Sequence, residues 1–145
     1  MFNKKFENLV DFSYQKSKEF YINELNLNKP NPYFVGFGNP NSKILIIGKE
    51  KGFDESNLKQ LQYESIENPN EWKNYIDNKI TSNRTKFYDS EHYINVFRPY
   101  LGKMKGGHTW TKYYTLLKNI YPQIEKNENE FLDYTFLSEI NFEPS

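Results

Sequence analysis

The sequence predicts an α/β fold, and three observations predict it. The run "KILIIG" places four aliphatic residues in succession, three of them β-branched, which is the composition of a strand buried on both faces of a parallel sheet. Segments of helical periodicity flank it on both sides. A second strand-like run, "DYTFLSEINF", closes the chain. The order helix, strand, helices, strand is an α/β order.

Taken in order, Phe2, Phe6, Leu9, Val10, Ser17, Phe20 and Tyr21 recur at helical spacing, which predicts an amphipathic helix over 3–26. "NKPNP" ends it, because a proline disfavours helical backbone at the residue before it. Gly36, Gly38 and Pro40 mark turns in "YFVGFGNPNS", and a hairpin within 32–43 would add a strand to the sheet. A short helix is expected over 55–64. Another opens at "NPNEW", with Asn68 as N-cap, Pro69 at the first helical position and Glu71 at N3. Trp72, Tyr75, Ile76 and Ile80 form its apolar face. The segment 81–107 is long and irregular, and long loops of compact domains are usually functional or mobile. A helix then begins near Thr109, with Trp110, Tyr113, Tyr114, Leu117 and Ile120 on or near one face.

The 145 residues suit one domain. Lysine plus arginine and aspartate plus glutamate both total 19, so nucleic-acid binding would require a local basic patch. Mean hydropathy is low, at -0.90, but 18% of the residues are aromatic, so Tyr and Phe are expected to carry much of the core. Without cysteine, disulfides, thiolate catalysis and iron–sulfur or Cys-based zinc sites are excluded. Two histidines are too few for a His-dominated metal site, and no metal or cofactor is expected. The absence of a signal-like apolar run or a membrane-length segment makes a cytoplasmic protein without a membrane partner the expectation.

Four stretches carry residues suited to chemistry. In "GKEKGFD", Gly48 and Gly52 permit sharp turns, Glu50 and Asp54 are candidate bases, and Lys49 and Lys51 are candidate phosphate partners. The spacing matches neither a P-loop nor a dinucleotide fingerprint, and a solvated strand-end turn is the alternative. In "KMKGGHTW", Lys103, Lys105 and Gly107 precede a helix start that Thr109 would cap, which suits an anion or a plain glycine connection. "RPY" sets Arg98 beside Tyr100, either a stacking platform for a base or a core tyrosine after a turn. "LSEINFEPS" puts Glu139 and Asn141 on one strand face, where an Asn side chain offers both a donor and an acceptor to an imide edge. A polar strand end is the alternative there.

The order of "GFGNPNSKILIIGKEKG", "RPYLGKMKGGHTWTKYYTLL" and "FLSEINFEPS" resembles the uracil-DNA glycosylase superfamily, nearest its thermostable iron–sulfur branch. The resemblance spans roughly 34–145 and rests on short, spaced motifs. It implies a three-layer α/β/α fold with a small, mostly parallel sheet. It also implies Glu50 as the water-activating residue in a loop with Gly48 and Lys49, Tyr100 stacking on a flipped base, and Asn141 reading its edge. Arg98, Lys105 and Gly107 would lie along the nucleic-acid backbone. DNA or a nucleobase is the implied partner, since a glycosylase must extrude its base to reach it.

This sequence departs from the family pattern at several points. Lys49 stands where the iron–sulfur branch has Glu, Glu50 where the main branch has its catalytic Asp, and Lys51 where the loop usually has Pro. The cluster cysteines and the later His motif are absent. The domain therefore reads as the N-terminal part of a longer fold, incomplete at its C-terminus, which a missing half or a second copy would complete. A base-excising enzyme, a non-catalytic nucleotide- or nucleic-acid-binding remnant and a protein-interaction module are the three functional expectations.

Overall fold

The computed structural model describes residues 1–50, 58–81, 96–97, 108–124 and 127–141. Helix α1 (Lys4–Tyr21) begins after Asn3, whose backbone is extended and whose side-chain oxygen accepts the Lys5 amide at 2.8 Å. This pairs one of the first-turn N–H groups that a helix leaves unsatisfied. The predicted helix over 3–26 is split near its end. Asn23 caps a separate 3-10 turn (Glu24–Asn26), accepting the Leu25 amide at 3.0 Å. Phe2, Phe6, Val10, Ser13 and Ser17 face inward, whereas Leu9 is largely exposed.

Helix α2 (Leu58–Leu61) runs into a π-helical turn (Gln62–Ile66) and then α3 (Asn68–Asp77). Asn68 does not act as the predicted cap. It is already helical and fully buried, and its carboxamide grips the segment before the sheet. It accepts the Val35 and Gly36 amides at 3.0 and 3.3 Å and donates to the Gly36 carbonyl at 2.9 Å. Burial makes pairing the carboxamide a stronger requirement than capping the helix. Asn31 works in the same way: its side chain donates to Ser17 Oγ at 2.6 Å and accepts the Tyr33 amide at 2.9 Å, and its own amide donates to Ser65 Oγ at 2.8 Å.

Among the described residues the sheet has three strands in the order β1-β3-β2: β1 (Phe37–Gly38), β2 (Leu45–Glu50) and β3 (Phe136–Asn141). Strand β3 runs parallel to β2 and antiparallel to β1, so the described sheet is mixed rather than mostly parallel. The extra strand expected within 32–43 exists, but it pairs with β3 from the far end of the chain instead of forming a hairpin.

Two cores meet at β3. Phe136 joins Phe2, Val10, Val35, Trp72, Tyr75 and Phe97. Leu137 joins Leu117, Ile124, Phe131 and Leu132, from α4 (His108–Ile120) and the 3-10 segment Asn127–Tyr134 with its flanks. That 3-10 segment replaces the expected start of the last strand, because Phe131 and Leu132 are needed in the core. Ile44 and Ile46 pack on the Leu137 side, but Leu45 and Ile47 are 58% and 52% exposed. Strand β2, an edge strand of the described sheet, is thus covered on one face and not on both. With helices packed beside a small mixed sheet, the chain is an α/β protein.

Trp72 ties the first core together. It has no exposed surface, its Nε1 donates to the Gly36 carbonyl at 2.8 Å, and its ring lies 5.0 Å from Phe6, 5.3 Å from Phe97 and 5.9 Å from Phe136. Gly36 is held at φ 136°, and a Cβ there would lie 2.2 Å from the Leu137 carbonyl oxygen. Backbone cannot yield as a side chain can, so only glycine fits.

Two substitutions test this clamp in urea unfolding. Gly36→Ala is expected to cost about 2–4 kcal/mol through the strained φ and the backbone clash. Asn68→Ala is expected to cost about 1–3 kcal/mol by stranding the 35–36 backbone groups. Asn70→Ala, exposed on the same helix, should stay within about 0.5 kcal/mol of the parent. Equal effects at positions 68 and 70 would contradict the clamp.

Candidate functional site

Ligands of open α/β sheets bind beyond the carboxyl ends of parallel strands. Here those ends are Gly48 to Glu50 on β2 and Glu139 to Asn141 on β3, and the register pairs Gly48 with Glu139 and Glu50 with Asn141. Side chains alternate along a strand, and in-register neighbours share a face. Positions 48, 50, 139 and 141 therefore lie on one face, the face on which Leu137 meets α4.

The predicted site residues divide into those the register brings together and those outside it. Gly48 is buried in β2, Lys49 is exposed beside it, and Glu50 is the last residue of the strand. Asn141 ends β3 directly across from Glu50. Arg98, Tyr100, Lys105 and Gly107 lie outside the described residues, as do Lys51, Gly52 and Asp54 of the strand-end loop. His108 is the first residue of α4.

Two features of this end of the sheet were not legible as site features in the sequence. The first is the close approach of Glu139 to Gly48. A Cβ on Gly48 would come within 1.9 Å of Glu139 Oε2 and 2.6 Å of its Cδ, so the carboxylate lies over the glycine. Only the register reveals this. The second is Tyr113, which the helical pattern gives merely as an apolar-face residue. Its phenol is held above the ordinary tyrosine range, first by burial and then by the negative charge of Glu139. Leu117, one turn later in α4, belongs to the same core as Leu137, so α4 packs on this face of the sheet.

The arrangement offers a carboxylate on β3 lying over Gly48, a phenol that feels its charge, and a Glu and an Asn position at the two strand ends. Among the described residues, no group of three or more His, Asp or Glu side chains is placed to hold a metal ion. No described helix is long and apolar enough to cross a membrane. A separate cavity of ≈ 350 Å³, lined by Met1, Phe2, Glu7, Ile76, Lys79 and Thr81, contains none of the predicted site residues.

Tyr113 gives this site a pH signature. Its folded value lies above its unfolded value, so folding favours the protonated phenol. Its support is complete below the unfolded value, about 10, and is lost as pH rises through the folded one. Stability followed by urea unfolding from neutral to strongly alkaline pH should fall less steeply above about pH 10 in Tyr113→Phe than in the parent. An unchanged slope would mean that the fold does not hold this phenol protonated.

No protein-family model, curated protein or solved structure matches this chain.

Proposed function

We propose that the chain is a DNA glycosylase-like protein that takes a base swung out of DNA into the carboxyl end of its parallel strands. One observation carries the reading: Glu50 and Asn141, the two residues that the family resemblance makes catalytic and base-reading, stand opposite each other at the ends of β2 and β3. They are 91 positions apart in the numbering of the chain, and a sheet of different register would separate them. In this reading Glu50 activates the water that attacks the sugar carbon, Asn141 pairs with the base edge, and Tyr100 stacks on the base. Gly48 and Lys49 contribute to binding the base, and Arg98, Lys105 and Gly107 meet the DNA backbone.

The same reading takes the sheet as the middle of three layers, with α1 and α3 on the Phe136 side and α4 on the Leu137 side. DNA is the partner and the cytoplasm the compartment.

A second reading, self-association through β2, is favoured by a different observation. Leu45, Ile47 and Ile140 fall on one face by strand alternation and are 58%, 52% and 78% exposed. Edge strands with apolar surface invite pairing with another chain. A mass that rises with concentration, and that falls back to monomer in Ile47→Lys, would support it.

The base-excision reading is tested by incubating the protein with duplex and single-stranded DNA that carries uracil or another damaged base, then cleaving abasic sites with alkali. The expected result is strand cleavage by the parent and a loss of about 100-fold or more in Glu50→Gln. Salt-dependent DNA binding without cleavage would reduce the protein to a base-binding form. Cleavage unaltered in Glu50→Gln would remove Glu50 from catalysis.

A further inference from the structure

A cavity of ≈ 350 Å³ lies away from the strand ends, lined from the first turn of α1 and the end of α3. Its volume falls at the small end of the range for ligand pockets, about 300–1,000 Å³. Met1, Phe2 and Ile76 make much of its wall apolar, and Glu7, Lys79 and Thr81 add polar groups. The apolar wall is firmly backed. Phe2 is buried, stacks on Phe97 at 6.0 Å and meets Trp72 edge-on at 6.0 Å, so the first core holds its ring in place.

Two independent observations single out Lys79 on this wall. The first is its backbone, at φ 56°, the one positive value of a non-glycine residue among the described residues. The cause is the way α3 ends. The Ile80 amide donates to the Tyr75 carbonyl at 2.8 Å and the Lys79 amide to the Ile76 carbonyl at 3.0 Å, the paired bonds of a Schellman stop after Asn78. That stop needs a left-handed residue at position 79, which glycine supplies without steric cost. Lysine adopts it under strain, and residues held in this way cluster at ligand sites. The second observation is charge. The acids around Lys79 are engaged elsewhere, Glu7 by Lys4 at 3.4 Å and Asp77 by Lys73 at 2.8 Å. Among the described residues Lys79 has no ion-pair partner, so its positive charge is the uncompensated one on the cavity wall.

We propose that this cavity binds a small organic carboxylate with an aromatic or branched aliphatic body. The body fills the space against Phe2 and Ile76, and the carboxylate meets Lys79 and Thr81. An ammonium and a hydroxyl supply donors for the two oxygens of a carboxylate. Glu7 only accepts hydrogen bonds when ionised, so it disfavours a second negative charge on the ligand, as a phosphate would bring. The site is separate from the strand ends and stands whether or not a base is taken there.

The test is a two-dimensional amide NMR titration of the nitrogen-labelled full chain with phenylacetate, hydrocinnamate and isocaproate. Each is compared with its amide, and phenylacetate also with phenethylamine and phenyl phosphate. At least one carboxylate is expected to move the amide signals of Phe2, Ile76, Lys79 and Thr81, and to bind about tenfold tighter than its amide. The decisive variant is Lys79→Gly, which removes the charge and the strain together. Its midpoint in urea should equal or exceed that of the parent, while its preference for the carboxylate shrinks to within about twofold. No binding by any carboxylate, or shifts confined to other residues, overturns the site. Equal binding of carboxylate and amide, or tighter binding of the amine, overturns the anionic class. Tighter binding of phenyl phosphate overturns the choice of a carboxylate. A preference kept in full by Lys79→Gly removes Lys79 from recognition, and a midpoint below the parent's overturns its strain.

Discussion

The parallel pairing of β2 with β3 is the constraint on which the rest depends. It sets Ile46 beside Leu137 and Gly48 beside Glu139, and so decides which side chains of β3 enter which core. Phe136 and Leu137 are consecutive, yet they feed opposite clusters. A slip of one residue would exchange them and turn each face inside out. It would also take Glu139 off Gly48 and Asn141 off Glu50, so the fold and the candidate site share one determinant. The strand is held on its other side by a steric lock, since the Leu137 carbonyl occupies the space that a side chain at position 36 would need.

The low mean hydropathy is reconciled with a packed interior by two kinds of residue. Aromatic rings provide much of the apolar burial around Trp72, through edge contacts with Phe6, Phe97 and Tyr75. Carboxamides provide polar interior contacts. Asn31 and Asn68 are both fully buried, and each is bonded to backbone groups distant in sequence. Such groups are costly when unpaired and orienting when paired. They bring the turn-rich segment before β1 to a defined position against α3, from which β1 meets β3.

The elements with strong local signals were legible in the sequence. Periodicity located α1, α3 and α4, the aliphatic run located β2, and the last apolar run contained β3. What was lost depended on tertiary context. Asn68 followed by proline has the local signature of a cap, and only burial against Val35 and Gly36 reveals its clamp role. "KILIIG" has the composition of a central strand, but β2 lies at an edge of the described sheet and leaves Leu45 and Ile47 exposed. At the site, Glu139 and Asn141 were readable as one face from alternation alone. The approach of Glu139 to Gly48 was not, because it depends on a register between segments about ninety residues apart. Tyr113 was readable as an inward helix position but not as the neighbour of an acid.

The functional reading therefore stands on a geometric fact of the backbone: two strand ends, brought level, present Gly48, Glu50, Glu139 and Asn141 together. Nuclear magnetic resonance of the isotopically labelled chain tests that fact most directly. The account predicts cross-strand backbone Overhauser contacts that join Ile46 to Leu137, Gly48 to Glu139 and Glu50 to Asn141. Contacts displaced by one residue, or an antiparallel pattern between these strands, would contradict it.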